Sequence, residues 1–198
     1  MLSRTLAVCA AGMFSLGLMI PSAEAMMALP KKLNIPTSTS MSMGSKTLAP
    51  FAHVRFCKAN PSQCSVRGGK RSVTMTDDKW RQLSRVNSIV NQAIRPVHDR
   101  KIGALADHWT LNPRAGDCED YALTKRAKLL RMGWPSSSLL IATAYAPRVG
   151  HHAVLVVRTN KGDYVLDNLR RQIKPWRKTG YRWQKMQSPK NPRYWVKV

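Results

Sequence analysis

The feature that most restricts the fold is a change in apolar period near Gly133 and Pro135. Over residues 76–94, Trp80, Leu83, Val86, Ile89, Val90 and Ala93 recur at three- and four-residue steps, and Thr76-Asp77-Asp78 can cap the start. This pattern predicts a helix with one buried face. After a loop over residues 109–116, residues 118–132 are again helix-like and are stopped by Gly133 and Pro135. Short apolar, β-branched segments follow at 139–145 and 152–158. Asn160-Lys161-Gly162-Asp163 then reads as a turn, and residues 164–167 complete a hairpin. Helices followed by paired strands define an α+β fold with an antiparallel sheet.

The N-terminus bears on the redox compartment. Arg4 precedes an apolar run from Leu6 to Ile20, followed by Pro21 and Ala23-Glu24-Ala25. This is the composition of a secretory signal peptide over residues 1–25, cut after Ala25, and the run is short for a bilayer span. Residues 26–50, with Pro-Thr-Ser-Thr-Ser-Met-Ser-Met-Gly-Ser, have no sustained apolar period and read as a flexible lead-in. One domain is expected over residues 51–198, in a periplasmic or secreted protein.

Beyond the leader the cysteines are Cys57, Cys64 and Cys118. In an oxidising compartment the first two, flanking Asn60-Pro61, suit a local disulfide around a turn, which leaves Cys118 unpaired. Cys118 stands in Gly-Asp-Cys-Glu-Asp-Tyr, beside Asp117, Glu119 and Asp120, in a chain with only 10 acidic residues. Those carboxylates oppose thiolate formation unless a helix N-terminus, an imidazolium or a bound cation offsets them. The same acids also suit a helix's first turn as caps.

The hairpin brings His152 towards Asp167, because pairing across its short turn opposes the distal ends of both strands. His152, not His151, shares its strand parity with Val154 and Val156. A helix-start Cys118, a strand His152 and a neighbouring Asp167 supply a nucleophile, a base and an orienting carboxylate for acyl transfer. Asn168 is placed to support that carboxylate. His53, His98 and His108 have no convincing zinc spacing and read as surface or core residues.

At these residues the chain resembles the bacterial transglutaminase-like cysteine proteinases. The resemblance rests on Val86-Asn87-Ser88-Ile89-Val90-Asn91, Ile94-Arg95-Pro96, Asp107-His108-Trp109, Gly116-Asp117-Cys118-Glu119-Asp120-Tyr121, His152-Ala153-Val154-Leu155 and Leu166-Asp167-Asn168. It implies a papain/transglutaminase-like core with the catalytic Cys118 at a helix start, packed on an antiparallel sheet, and Cys118, His152 and Asp167 as the triad. It further implies a calcium-dependent periplasmic endopeptidase that releases a large surface adhesin, of the kind that acts in biofilms, with calcium ligands drawn from Asp117, Glu119 and Asp120. Oxygen ligands suit a hard cation, which would cancel the local negative field. A regulatory receptor in the inner membrane is a further partner that the resemblance admits.

The charge stands apart from this pattern. The chain has 33 Lys or Arg and a net charge of +23. Residues 168–198 hold ten basic residues and no acid. Such a field attracts acidic protein substrates or an anionic envelope surface, while export argues against nucleic acid. Two alternatives follow from the residues. One is a non-catalytic basic module that binds an anionic polymer through Trp176, Tyr181, Trp183, Tyr194 and Trp195. The other keeps the triad and resolves the thioester with an amine, as a transglutaminase or amidase.

Overall fold

The computed structural model describes residues 32–69, 72–97 and 107–198. The signal peptide expected over residues 1–25, and His98, lie outside the described residues. Three helices, α1 (Phe51–Ala59), α2 (Asp77–Ala93) and α3 (Cys118–Arg131), precede most of the strands. The strands are β1 (Lys46–Thr47), β2 (Arg95–Pro96), β3 (Ala115–Gly116), β4 (Leu139–Ala146), β5 (Gly150–Thr159), β6 (Gly162–Leu166), β7 (Lys174–Pro175), β8 (Arg182–Ser188) and β9 (Asn191–Lys197). Seven of them form one sheet in the order β1-β9-β8-β4-β5-β6-β7. Every neighbouring pair in it is antiparallel. This is the α+β architecture that the change of period predicts.

Local chemistry sets the helix bounds. Thr76 Oγ1 accepts the Lys79 N–H at 3.2 Å, and Asp77 and Asp78 occupy the first turn, where the helix dipole favours negative charge. Helix α2 buries Leu83, Val86, Asn87 and Val90. The stripe is narrower than the sequence pattern predicts, since Ile89 is 43% exposed. Helix α3 ends where Gly133 adopts φ +82°, and the Trp134 N–H turns back to Leu129 O at 3.1 Å. The two-residue parallel bridge between β2 and β3 ties the end of α2 to the residues just before Cys118.

The sheet has two apolar faces. On one, Leu139, Ile141, Leu155 and Val157 pack with α2 and α3 through Leu83, Val90, Leu129 and Leu130. On the other, Leu140, Ala142, Val154, Val156, Val165 and Met186 are covered by Met41, Met43, Trp176 and Trp183. Cys57 and Cys64 are joined in a disulfide at the end of α1.

The lead-in expected over residues 26–50 departs from the structure from residue 32 onward. Met41 is 3% exposed, its N–H donates to Asp163 Oδ2 at 2.8 Å, and its carbonyl accepts from Arg158 Nη2 at 2.6 Å. The Ser38 N–H donates to Lys161 O at 2.9 Å. The segment has no apolar period because it is anchored largely through its backbone, and the sequence does not display those bonds. Gly162 permits this approach: at φ +99°, a Cβ there would stand 2.3 Å from the Ser38 carbonyl carbon.

Candidate active site

Cys118 is the first residue of α3, with Asp117 as N-cap. The first N–H groups of a helix have no intrahelical acceptor, and its dipole favours negative charge there. Cys118 is the free cysteine of the described residues. Its Sγ accepts the Ala153 N–H from β5 at 3.3 Å and donates to Glu119 Oε2 at 3.2 Å. Burial pushes the thiol pKa far up, and the charge of Glu119 pushes the same way. The Ala153 N–H opposes both, while the bond to Glu119 and the charge of Asp117 add to the rise. In this form the sulfur holds its proton.

Next to Ala153 on the same strand, His152 is 4% exposed and its Nε2 lies 2.9 Å from Asp167 Oδ1. A carboxylate only accepts, so Nε2 donates a hydrogen to Asp167, which leaves Nδ1 as the ring nitrogen not engaged by it. His151 also lines the cleft but is exposed, edge-on to Tyr145 at 6.0 Å. Asp167 Oδ1 also accepts the Leu169 N–H at 3.0 Å, and Oδ2 accepts from the Tyr181 hydroxyl. Burial alone would raise the Asp167 pKa, but the bond and charge of His152, with the donors of Tyr181 and Leu169, hold it below the usual carboxylate range. No hydrogen bond joins Cys118 to His152, although both line one cleft of about 1580 Å³.

The acids sort into two groups. Glu119 lies beside Asp107 and Asp117 in the cleft. Burial first, then the neighbouring Asp107 and Asp117 carboxyl groups, push its carboxyl up to about 10. Asp120 is turned elsewhere: its Oδ1 accepts the Thr110 N–H at 2.7 Å, and a Cβ on Gly116 would meet its Oδ2 at 2.1 Å. Of the three acids expected from sequence, Asp117 and Glu119 line the cleft together with Asp107, and Asp120 also fastens the Thr110 backbone. Three carboxyl groups crowded together, with that of Glu119 pushed up by its neighbours, form an oxygen-rich site of the kind a hard cation occupies, so the residues present fit a calcium ion.

One cluster of ligand-type side chains among the described residues, His53, Cys57 and Cys64, lies elsewhere. Its two sulfurs form the disulfide, and the His53 ring packs edge-on between Trp109 and Trp195. His53 is a core residue.

Tyr181, the Ala153 N–H and Asp107 have contacts that sequence reasoning did not find. Tyr181 stood among the aromatics considered for polymer binding, and no local spacing links it to Asp167. The five aromatics do not form one platform. Trp195 is buried with His53, Trp176, Tyr181 and Trp183 form one partly buried cluster on the opposite sheet face with Tyr181 also bonded to Asp167, and Tyr194 is 61% exposed.

A free thiol at a helix start, beside an antiparallel sheet that carries a buried His-Asp pair, defines the transglutaminase-like class of cysteine enzyme. Residues 43–198 match the family described as bacterial transglutaminase-like cysteine proteinase BTLCP, and the chain belongs to it. Among solved structures, it is similar to LapG of Legionella pneumophila, at 29% identity over 54% of this chain and 62% of that one, with a TM-score of 0.48. The chain thus spans less than two thirds of that relative. Against calcium-bound Legionella pneumophila LapG the identity is 23% over 71% of this chain and 77% of that one, with a TM-score of 0.50. The latter likeness shows a shared fold. The comparison with curated proteins finds no match.

Proposed function

We propose that the chain is an exported, calcium-dependent cysteine endopeptidase that cleaves a protein of the cell surface, such as a large adhesin. Cys118 is the nucleophile, His152 the base and then the acid, and Asp167 the orienting group. One observation carries this reading. The Ala153 N–H touches the Cys118 sulfur while the adjacent His152 is held by Asp167, so a single strand links thiol and base.

In this reading Cys118 exchanges its hydrogen bond with Glu119 for one with His152 Nδ1 and gives up its proton there. The thiolate attacks the scissile carbonyl, and the Cys118 N–H at the helix start donates to the developing oxyanion. Asp167 stabilises the imidazolium, which then protonates the leaving amine. Water hydrolyses the thioester with His152 again as base. A calcium ion held by Asp117, Glu119 and Asp107 would supply positive charge beside the thiol and offset the acids that keep it protonated. Asp120, the remaining acid of the segment, supports the loop that carries Asp107.

The packing of Trp176, Tyr181 and Trp183 against the sheet's second apolar face, and the burial of Trp195, support this reading over a polymer-binding module. The test compares the mature protein with its Cys118→Ala variant on surface proteins, in calcium or in chelator, with new amino termini mapped by mass spectrometry. Discrete termini that need both Cys118 and calcium are expected. Their absence in every condition overturns the reading, and incorporation of a labelled primary amine in their place assigns the enzyme to amine transfer.

A further inference from the structure

The sheet carries a row of residues that leads away from the thiol. Ala153 on β5 pairs with Thr143 on β4, Thr143 with Lys185 on β8, and Lys185 with Lys197 on β9. Directly opposed residues of antiparallel strands present their side chains on the same face. All four residues line the cleft that holds Cys118. The register shifts between Thr143 and Ala144, so that Gln184 and Lys185 share the stretch of β8 that faces Thr143, and Gln184 lines the cleft as well. Such bulges redirect side chains beside functional sites.

Two features of the row are unfavourable in the protein by itself. Lys185 and Lys197 oppose each other directly, a like-charge pairing that weakens a sheet. Neither makes an ion pair among the described residues, and the Lys185 ammonium donates instead to Leu48 O at 2.9 Å. Between these lysines and the thiol, Thr143 Oγ1 is buried without a hydrogen-bond partner. The acids of the cleft, Asp107, Asp117 and Glu119, stand with Cys118 on other elements. One part of the cleft is therefore acidic and the β8–β9 wall is basic.

Resting on the endopeptidase reading above, we propose that Lys185 and Lys197 form an acid-binding subsite that selects substrates with Asp or Glu a few residues from the scissile peptide, with the exposed Gln184 hydrogen-bonding the substrate between. The spacing sets the distance. Neighbouring strands lie roughly 4.8 Å apart, so Lys185 is about 10 Å and Lys197 about 15 Å from the Ala153 row position. An extended peptide advances roughly 3.3 Å per residue, which puts the selected acid about three to five residues from the cut bond, on one side of it. The substrate carboxylate supplies the counter-charge that the two lysines lack.

The test uses a random decapeptide library and the full mature protein. Peptides cut by the wild type, and separately peptides captured by the Cys118→Ala variant, are sequenced. Asp and Glu are expected to be enriched three to five positions to one side of the cut, and among the captured peptides. In the Lys185→Gln/Lys197→Gln variant the preference for an acidic over a matched neutral peptide should fall about five- to tenfold, the effect of losing two solvent-accessible ion pairs. A Lys174→Gln/Lys178→Gln variant removes equal charge outside the cleft and should keep the preference. Equal loss in both variants, or no acidic enrichment, overturns the subsite and attributes any preference to the overall field. If the wild type cuts nothing, the endopeptidase reading fails, and capture by Cys118→Ala still decides the subsite: lysine-dependent enrichment supports it and its absence overturns it.

Discussion

Tyr181 donates its hydroxyl hydrogen to Oδ2 of Asp167, on the far side of the carboxylate from His152. Burial and the carboxylate raise the tyrosine's own pKa, so the phenol stays a donor across the working pH range. Removing it with Tyr181→Phe leaves a buried anion short of one partner, at a cost of about 2 kcal/mol for a bond to a charged group. The expected result is a fall in kcat/KM of roughly 30-fold, the rate equivalent of that energy. Asp167 would also protonate at higher pH, so the acid-side loss of activity should move upward. An unchanged pH profile would remove Tyr181 from the active site.

The thiol's reactivity should follow calcium before any substrate is present. Glu119 and Asp117 both raise the Cys118 pKa, so a cation on their carboxylates lowers it. Alkylation of Cys118 by iodoacetamide at neutral pH is expected to rise at least tenfold on adding calcium and to fall back with chelator. Glu119→Gln should raise the rate without calcium and blunt the response. Equal alkylation with and without chelator would remove calcium from the account.

Much of this was legible from short-range pattern. Thr76 and Gly133 mark helix ends by their own chemistry, and the turn at residues 160–163 fixes the hairpin that brings His152 to Asp167. What stayed hidden depends on partners distant in sequence. Ser38 to Met41 look like a loose polar stretch, yet the Thr39 carbonyl and the Met41 N–H bind Asp163, on a strand more than 100 residues on. The placement of β8 and β9 on the β4 side of the sheet sets Lys185 level with Thr143, and nothing in either segment encodes that register. Glu119 and Asp120 are adjacent, but helical geometry turns one to the thiol and the other to Thr110.

His53 should make the fold acid-sensitive. Burial, with the charges of Arg126 and Arg193, pushes its pKa down to about 4. A group whose folded pKa lies below its unfolded value contributes stability above the unfolded pKa, near 6.5, and loses it as pH falls towards 4. The loss across that window is about 3 kcal/mol. Denaturant unfolding from pH 7 to pH 4 should show this decline. His53→Gln, which keeps an amide to meet Trp195 and Gln187, should flatten it, and a variant with the wild-type slope would place the acid-sensitive group elsewhere.

Lys125 lies two turns along α3 from Cys118, fully buried, with no hydrogen bond to its ammonium and the Tyr121 ring centroid 5.9 Å away. Burial pushes its pKa down to about 7, against the opposing pull of the Asp167 charge. Because the folded value lies below the unfolded 10.5, this lysine costs stability increasingly as pH falls from about 10.5 towards 7. Lys125→Met retains the apolar stem and removes the ionisable head, so it should stabilise the fold at pH 7 by about 2 kcal/mol. That gain corresponds to a rise in Tm of roughly 4–8 °C and should vanish near pH 10.5. The same change withdraws positive charge from around Asp167, so kcat/KM should fall as stability rises. A variant that melts lower than the wild type at pH 7 would show that the ammonium is held by the fold rather than tolerated by it.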